Sequence, residues 1–279
     1  MSAHTSFLAH ARFRWFKISA FLCLIIIVTY SAWAPVGGRN GGTILGYGLG
    51  TLGLLIILWL AWLGVKKRGF SGGANTIRGW TSAHVYLGLS LIIIATLHTG
   101  FEFGWNVHTL AYALMMAVIL SGAFGVFAYL RYPRMMSENL NGRSTSLLRK
   151  EMTDLDVRIA RLTQRLPDNF AEAARMSLDN TKIGGGALTL LSGSSRRCGS
   201  ARARQLALSL AEDLDDPNQQ TTATEMVASL SRKADIAARL RRDLSYKAIM
   251  DIWLWLHVPL TLALIASLTA HVVIVFFYW

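Results

Sequence analysis

Apolar runs long enough to bridge a bilayer alternate with short polar stretches along this chain as far as Tyr129, and one more such run closes it. The five runs are roughly Phe16 to Ala34, Ile44 to Val65, Ser82 to Gly100, Thr109 to Tyr129 and Ile252 to Phe277. Each is close to the roughly 20 residues that a spanning helix requires. None carries Lys, Arg, Asp or Glu in its interior apart from Lys17 at the first edge. In lipid the backbone must satisfy its own hydrogen bonds, so each run predicts a helix. Between the fourth and fifth runs lies an insert, Arg131 to Lys247, about 117 residues long and far beyond an ordinary connection. Within it Met152, Leu155, Ile159, Leu162 and Leu166 repeat at 3,4,3,4 spacing, the pattern of an amphipathic helix ending at Pro167. A second helical stretch, about Thr224 to Leu244, is expected to continue into the last span. Gly184-Gly185-Gly186 and Ser192 to Ser195 predict a flexible middle. The expected fold is an all-α integral membrane protein. Residues 1–130 carry transmembrane helices 1 to 4, 131–247 form a mostly helical cytoplasmic insert, and 248–279 carry transmembrane helix 5.

Charge sharpens this division. Of the 279 residues 53% are hydrophobic and only 16% charged, against about 25% charged in ordinary soluble domains. The insert holds 20 of the 28 Lys and Arg and 14 of the 16 Asp and Glu. The net charge of +12 thus divides evenly between the insert and the ends of apolar runs, which is no nucleic-acid footprint. Arg12, Arg14 and Lys17, then Lys66, Lys67, Arg68 and Arg78, then Arg131 and Arg134 fall on one side of the bundle. The alternate loops hold Arg39 alone. By the positive-inside rule the N-terminus and the insert are cytoplasmic, and Phe276-Phe277-Tyr278-Trp279 forms an outer aromatic belt. Ala32-Trp33-Ala34 behind the first run imitates a leader cleavage site; with the chain starting at Met1, we expect a retained anchor. The expected location is a bacterial cytoplasmic (inner) membrane, N-terminus inside and C-terminus outside. Cys23 and Cys198 form no CxxC, CxxCH or four-cysteine cluster, which argues against covalent c-type haem and iron–sulfur ligation.

The chemistry rests on four histidines. His84 and His98 lie on the third run, His257 and His271 on the fifth, and both pairs are 14 residues apart. At 100° per residue, 14 steps fall 40° short of four full turns, so each pair shares a helix face over a rise of about 21 Å. Intramembrane histidine is costly and signals function with a partner. Equal spacing on two separate spans points to a b-type haem held non-covalently between one histidine from each helix. Small neighbours fit a porphyrin wedge: Gly88, Ala95, Thr261 and Ser267 stand about one turn from a histidine, and Pro259 would free a backbone carbonyl near His257. Gly and Ser are equally common at plain helix contacts in membranes.

Two His-x13-His helices separated by one returning helix resemble the di-haem membrane cytochromes b. The likeness is to the transmembrane core of the ferric reductase and NADPH oxidase group, and to the cytochrome b of quinol:cytochrome c oxidoreductases. It covers roughly Gly79 to Tyr129 and Ile252 to Trp279. The resemblance implies that His84, His98, His257 and His271 are axial ligands of two haem irons. The sequence departs from that pattern in lacking flavin and nicotinamide domains after the fifth run, a Gly-x-Gly-x-x-Gly after a strand, and a Pro-Glu-Trp-Tyr quinol motif.

The expected cofactors are therefore two haem b, His84 pairing with His257 on the cytoplasmic side and His98 with His271 on the outer side, with a quinone as a candidate diffusible substrate. Arg78, Arg131 and Lys247 at the cytoplasmic edge are candidate propionate partners, although topology explains them equally well. His108 lacks an equally spaced mate and reads as interfacial, with contact to a propionate or quinone the lesser alternative; His4 and His10 read as solvated. The expected function is transmembrane electron transfer, as the cytochrome b subunit of a redox complex exchanging electrons with quinone or a peripheral redox protein. That partner would dock on the insert or the outer face. The enzyme alternative is a stand-alone ferric or quinone reductase at the outer haem, with Phe101, Glu102, Phe103, Trp105 and Asn106 as its surface. The non-redox alternative is a membrane scaffold whose histidines hydrogen-bond between helices. Membrane lipid is expected around the spans, and no nucleic-acid partner is expected.

Overall fold

A computed structural model describes residues 7–35, 38–68, 74–186, 189 and 198–277. Among the described residues all regular structure is helical. After a short turn of 3-10 helix at Phe7–Ala9 come α1 (Arg14–Ala32), α2 (Ile44–Arg68), α3 (Ala74–Thr99), α4 (Val107–Leu140), α5 (Thr145–Thr163), α6 (Phe170–Asn180), α7 (Gly199–Glu212) and α8 (Pro217–Phe277). Five helical runs are long and apolar enough to cross a membrane, which suggests a multi-pass membrane protein.

Local chemistry sets the helix starts. The Thr43 hydroxyl accepts from the Gly46 amide (3.0 Å) at the head of α2, and Asn106 Oδ1 accepts from the Thr109 amide (2.9 Å) at the head of α4. Ser144 accepts from Leu147 (3.2 Å) before α5. Asp216 Oδ1 accepts from the Asn218 amide (2.9 Å) before α8, whose first residue Pro217 needs no amide partner. Two helices outrun their apolar stretches: α3 starts at Ala74, ahead of Ser82, and α4 continues past Tyr129 through Pro133 to Leu140. Bilayer-length hydropathy marks the apolar portion of a helix, not its end. The stretch expected from Thr224 is one helix with the fifth apolar run, as α8.

The chain divides into two compact units. The first comprises Met1–Phe127 and Trp253–Trp279. In it α3 packs on α1 and α2 around a core of Ile26, Leu49, Ile56, Leu60, Leu91, Ile94, Met115 and Leu264. Its outward faces are apolar as well: Phe21, Leu24, Val28, Leu55, Trp62, Leu120 and Leu262 are exposed, a surface suited to lipid.

The second unit, Ala128–Ile252, is built conventionally. The Met152-to-Leu166 stripe is buried within the unit itself: Ile159, Leu162 and Leu166 join Phe170, Ala203, Ala207, Met226 and Leu230, while Leu148 and Met152 join Ile236, Ala237 and Leu240. Self-packing thus occupies the stripe that would otherwise recommend it for docking. The helices on either side of the expected flexible middle, α6 and α7, pack together. Gly184 to Gly186 do lie in irregular chain. Ser192 to Ser195, His4 and the terminal Tyr278-Trp279 lie outside the described residues, as do the side chains of Lys66, Lys67 and Arg68.

Candidate functional site

The first unit brings the histidine-bearing helices together in a definite register. Along α2 and α3, Gly46 meets His98 and Leu60 meets Gly88, so the two run antiparallel. Thr96 bonds Tyr112 (3.0 Å) from α3 to α4. Along α4 and α8, His108 meets His271 and Ser121 meets His257, again antiparallel. The contact of His98 with His271 completes the set.

At this end of the bundle the His98 and His271 rings stand 6.1 Å apart, centre to centre, with planes at 82°. His98 Nδ1 lies 2.7 Å from the Gly46 carbonyl oxygen. The ring fits because α2 carries no side chain at Gly50, where a Cβ would stand 2.7 Å from His98 Cε1. The Thr43 cap holds the turn that presents the Gly46 carbonyl. Gly100 (φ 61°) ends α3 against the Arg39 carbonyl so closely that no side chain fits. On its other side His271 meets His108, Nδ1 to Nδ1 at 2.5 Å, with ring centres 4.5 Å apart and planes at 87°. His108 is therefore engaged with a predicted ligand rather than merely interfacial.

At the second tier His257 Nδ1 lies 2.7 Å from Ser121 Oγ. That hydroxyl donates to the Val118 carbonyl (2.8 Å), which leaves it to accept from the imidazole. Gly122 lies against the ring, a Cβ there standing 3.5 Å from His257 Cε1, at ordinary contact distance. Gly125 lets the Trp253 indole lie directly on α4, where that indole donates to the Ser121 carbonyl (2.6 Å). His84 is half-buried on α3, 14 residues before His98. One turn earlier Trp80 stacks on Trp59, centres 4.4 Å apart and planes at 20°. Two residues before His84, the Ser82 hydroxyl is buried without a hydrogen-bond partner, as is that of Ser267 one turn before His271.

Other expected participants take plainer roles. Thr261 bonds back to the His257 carbonyl (2.8 Å), Gly88 packs on Leu60, and Asn106 is the α4 cap. Arg78, Arg131 and Lys247 are exposed. Phe101, Phe103 and Trp105 are exposed too. His10 is half-buried, its Nε2 3.2 Å from where a Cβ on Gly79 would stand, and not simply solvated. Among the described residues no group of three or more His, Cys, Asp or Glu is arranged to hold a metal ion. The partners that the sequence reading missed are the Gly46 carbonyl, the Ser121 hydroxyl and His108. Only the last carried a signal, as a fifth histidine at the head of an apolar run. No protein family, characterised protein or solved structure matches the chain.

Proposed function

We propose that this chain is a membrane electron carrier holding two b-type haems, one between His98 and His271 and one between His84 and His257. The observation that carries the reading is the state of the ring nitrogens. His98, His257 and His271 each have Nδ1 engaged, by a carbonyl, a hydroxyl and a second imidazole, so each keeps Nε2 for a metal. Ligating histidines are held in this way, the outer partner fixing tautomer and ring orientation. The spacing fits as well. The His98 and His271 ring centres stand 6.1 Å apart, near enough for both imidazoles to hold one metal-centred group. A pair of histidines suffices, since a porphyrin brings the other four ligands itself.

Haem iron held by two imidazoles has no open position and supplies one-electron, outer-sphere transfer. The protein's own residues do the rest. Gly46, Ser121 and His108 orient the imidazoles, Gly50 admits the His98 ring, and the surrounding Leu, Ile and Met side chains exclude water. Tiers about 21 Å apart along the helices would carry an electron across most of a bilayer. The donor and acceptor classes we favour are a quinone and a peripheral redox protein, and the basic loops favour a cytoplasmic N-terminus.

The test is a visible spectrum with pyridine haemochrome quantitation of the purified chain. We expect two haems b per chain, extractable by acid acetone. A chain without a Soret band, or with a thioether-linked spectrum, overturns the reading.

A further inference from the structure

His108 has a use that the four-histidine pattern does not give it. It stands in the first turn of α4, held by the Asn106 cap on the Thr109 amide (2.9 Å). Its Nδ1 faces His271 Nδ1 at 2.5 Å, with the rings nearly perpendicular at 87°. Two nitrogens that close, pointing at one another, share a hydrogen and leave no room for a metal between them. His108 is thus no third ligand. If His271 binds iron through Nε2, its Nδ1 carries the hydrogen and donates it, and His108 accepts on Nδ1 with its own hydrogen on Nε2.

The three outer partners differ in strength as acceptors. His98 donates to a backbone carbonyl, and His257 to a serine hydroxyl already occupied with Val118. An sp² imidazole nitrogen is the most basic of the three. It draws the Nδ1 hydrogen hardest, which makes the His271 ring the most electron-donating of these ligands.

We infer that His108 is a positioning residue for the His98–His271 tier, one that lowers the reduction potential of that haem by accepting the His271 Nδ1 hydrogen. The inference rests on the haem reading above. The couple is a one-electron change: iron passes from +3 to +2 on taking an electron from a soluble redox mediator, and the shared hydrogen stays on His271.

The experiment is a mediated optical redox titration of the full chain in detergent, comparing wild type with His108→Leu and His108→Asn. Leucine removes the acceptor, whereas asparagine keeps one through Oδ1. In His108→Leu we expect one transition to move upward by about tenfold in the ferric/ferrous equilibrium, or 59 mV for a one-electron couple, while the other stays in place. His108→Asn should recover most of that shift. Loss of one haem from the leucine variant but not from the asparagine variant supports the same bond, since the two differ in the acceptor. An unmoved transition in His108→Leu, equal effects of Leu and Asn, or a shift of both transitions overturns the inference. A wild-type chain with no Soret band overturns instead the haem reading beneath it.

Discussion

The two units of this protein solve helix packing with opposite polarity. In the second, apolar side chains such as Ile159, Met226 and Leu230 turn inward and charged pairs sit outside, as between Arg158 and Glu225 (3.2 Å). In the first, side chains such as Phe21, Trp62 and Leu262 point outward, and the helix contacts include histidine, serine, threonine and glycine. The contrast teaches what each environment makes expensive. Water penalises exposed hydrocarbon, so the insert hides it; a surface suited to lipid has no such need, and its interior is free to hold the polar groups that do chemistry.

The largest expected effect tests the polar interior. His98→Ala and His271→Ala should each abolish the same redox transition and leave the second, while His84→Ala and His257→Ala should abolish the other. Potentiometric titration of the four variants reads this directly, and loss of a shared haem in His84→Ala and His271→Ala would break the pairing.

The next probes a buried charge within the insert. Lys233 is 1% exposed, with its ammonium 2.5 Å from Asp156 and 2.8 Å from the Ser177 carbonyl. Removing one partner of a buried pair leaves the other uncompensated. Lys233→Met should weaken the insert by about 3 kcal/mol, near the low end for such pairs because Asp156 retains some water. Hydrogen exchange at amides of α5 to α7 should then quicken roughly a hundredfold, with the haem spectrum unchanged. Quickened exchange throughout the bundle would show the two units to be one cooperative body.

The smallest effect belongs to the insert's surface. Glu151 bonds Arg232 (2.7 Å) and Arg143 (2.8 Å), and the Arg232 hydrogen bond foremost holds its carboxyl below the usual range, against a lesser opposing push from burial. A lowered folded-state pKa stabilises above the unfolded value and is lost as pH falls through the folded one. Glu151→Gln should cost about 0.5 to 1 kcal/mol at pH 7, and the gap from wild type should close as pH falls through and below the usual carboxylate range in denaturation of the full chain.

How much the sequence discloses follows the same division. The apolar runs were plain because a span concentrates hydrocarbon over some 20 residues, and the four histidines because they break it at equal intervals. α6 and α7 were hidden because their buried faces are Phe170, Ala173, Ala174 and Ser177 on one and Gly199, Ser200, Ala203 and Ala207 on the other. Small and polar residues pack helices closely but leave little periodic hydrophobicity to read. The Gly46 carbonyl was beyond reach for a different reason: it is backbone, and every residue has one. His108 escaped because its mate lies 163 positions away, a pairing that only the fold brings together.

The missing side chain at position 50 also sets a boundary in sequence space. Any glycine codon is one base from an alanine codon, so this is among the shortest steps mutation can take. Here the added methyl would press on His98 Cε1 at 2.7 Å and on Nδ1 at 3.0 Å, the same nitrogen that bonds the Gly46 carbonyl, so moving the ring aside would strain that bond. A change that helix propensity alone would welcome is closed off at this place for as long as the imidazole keeps its bearing.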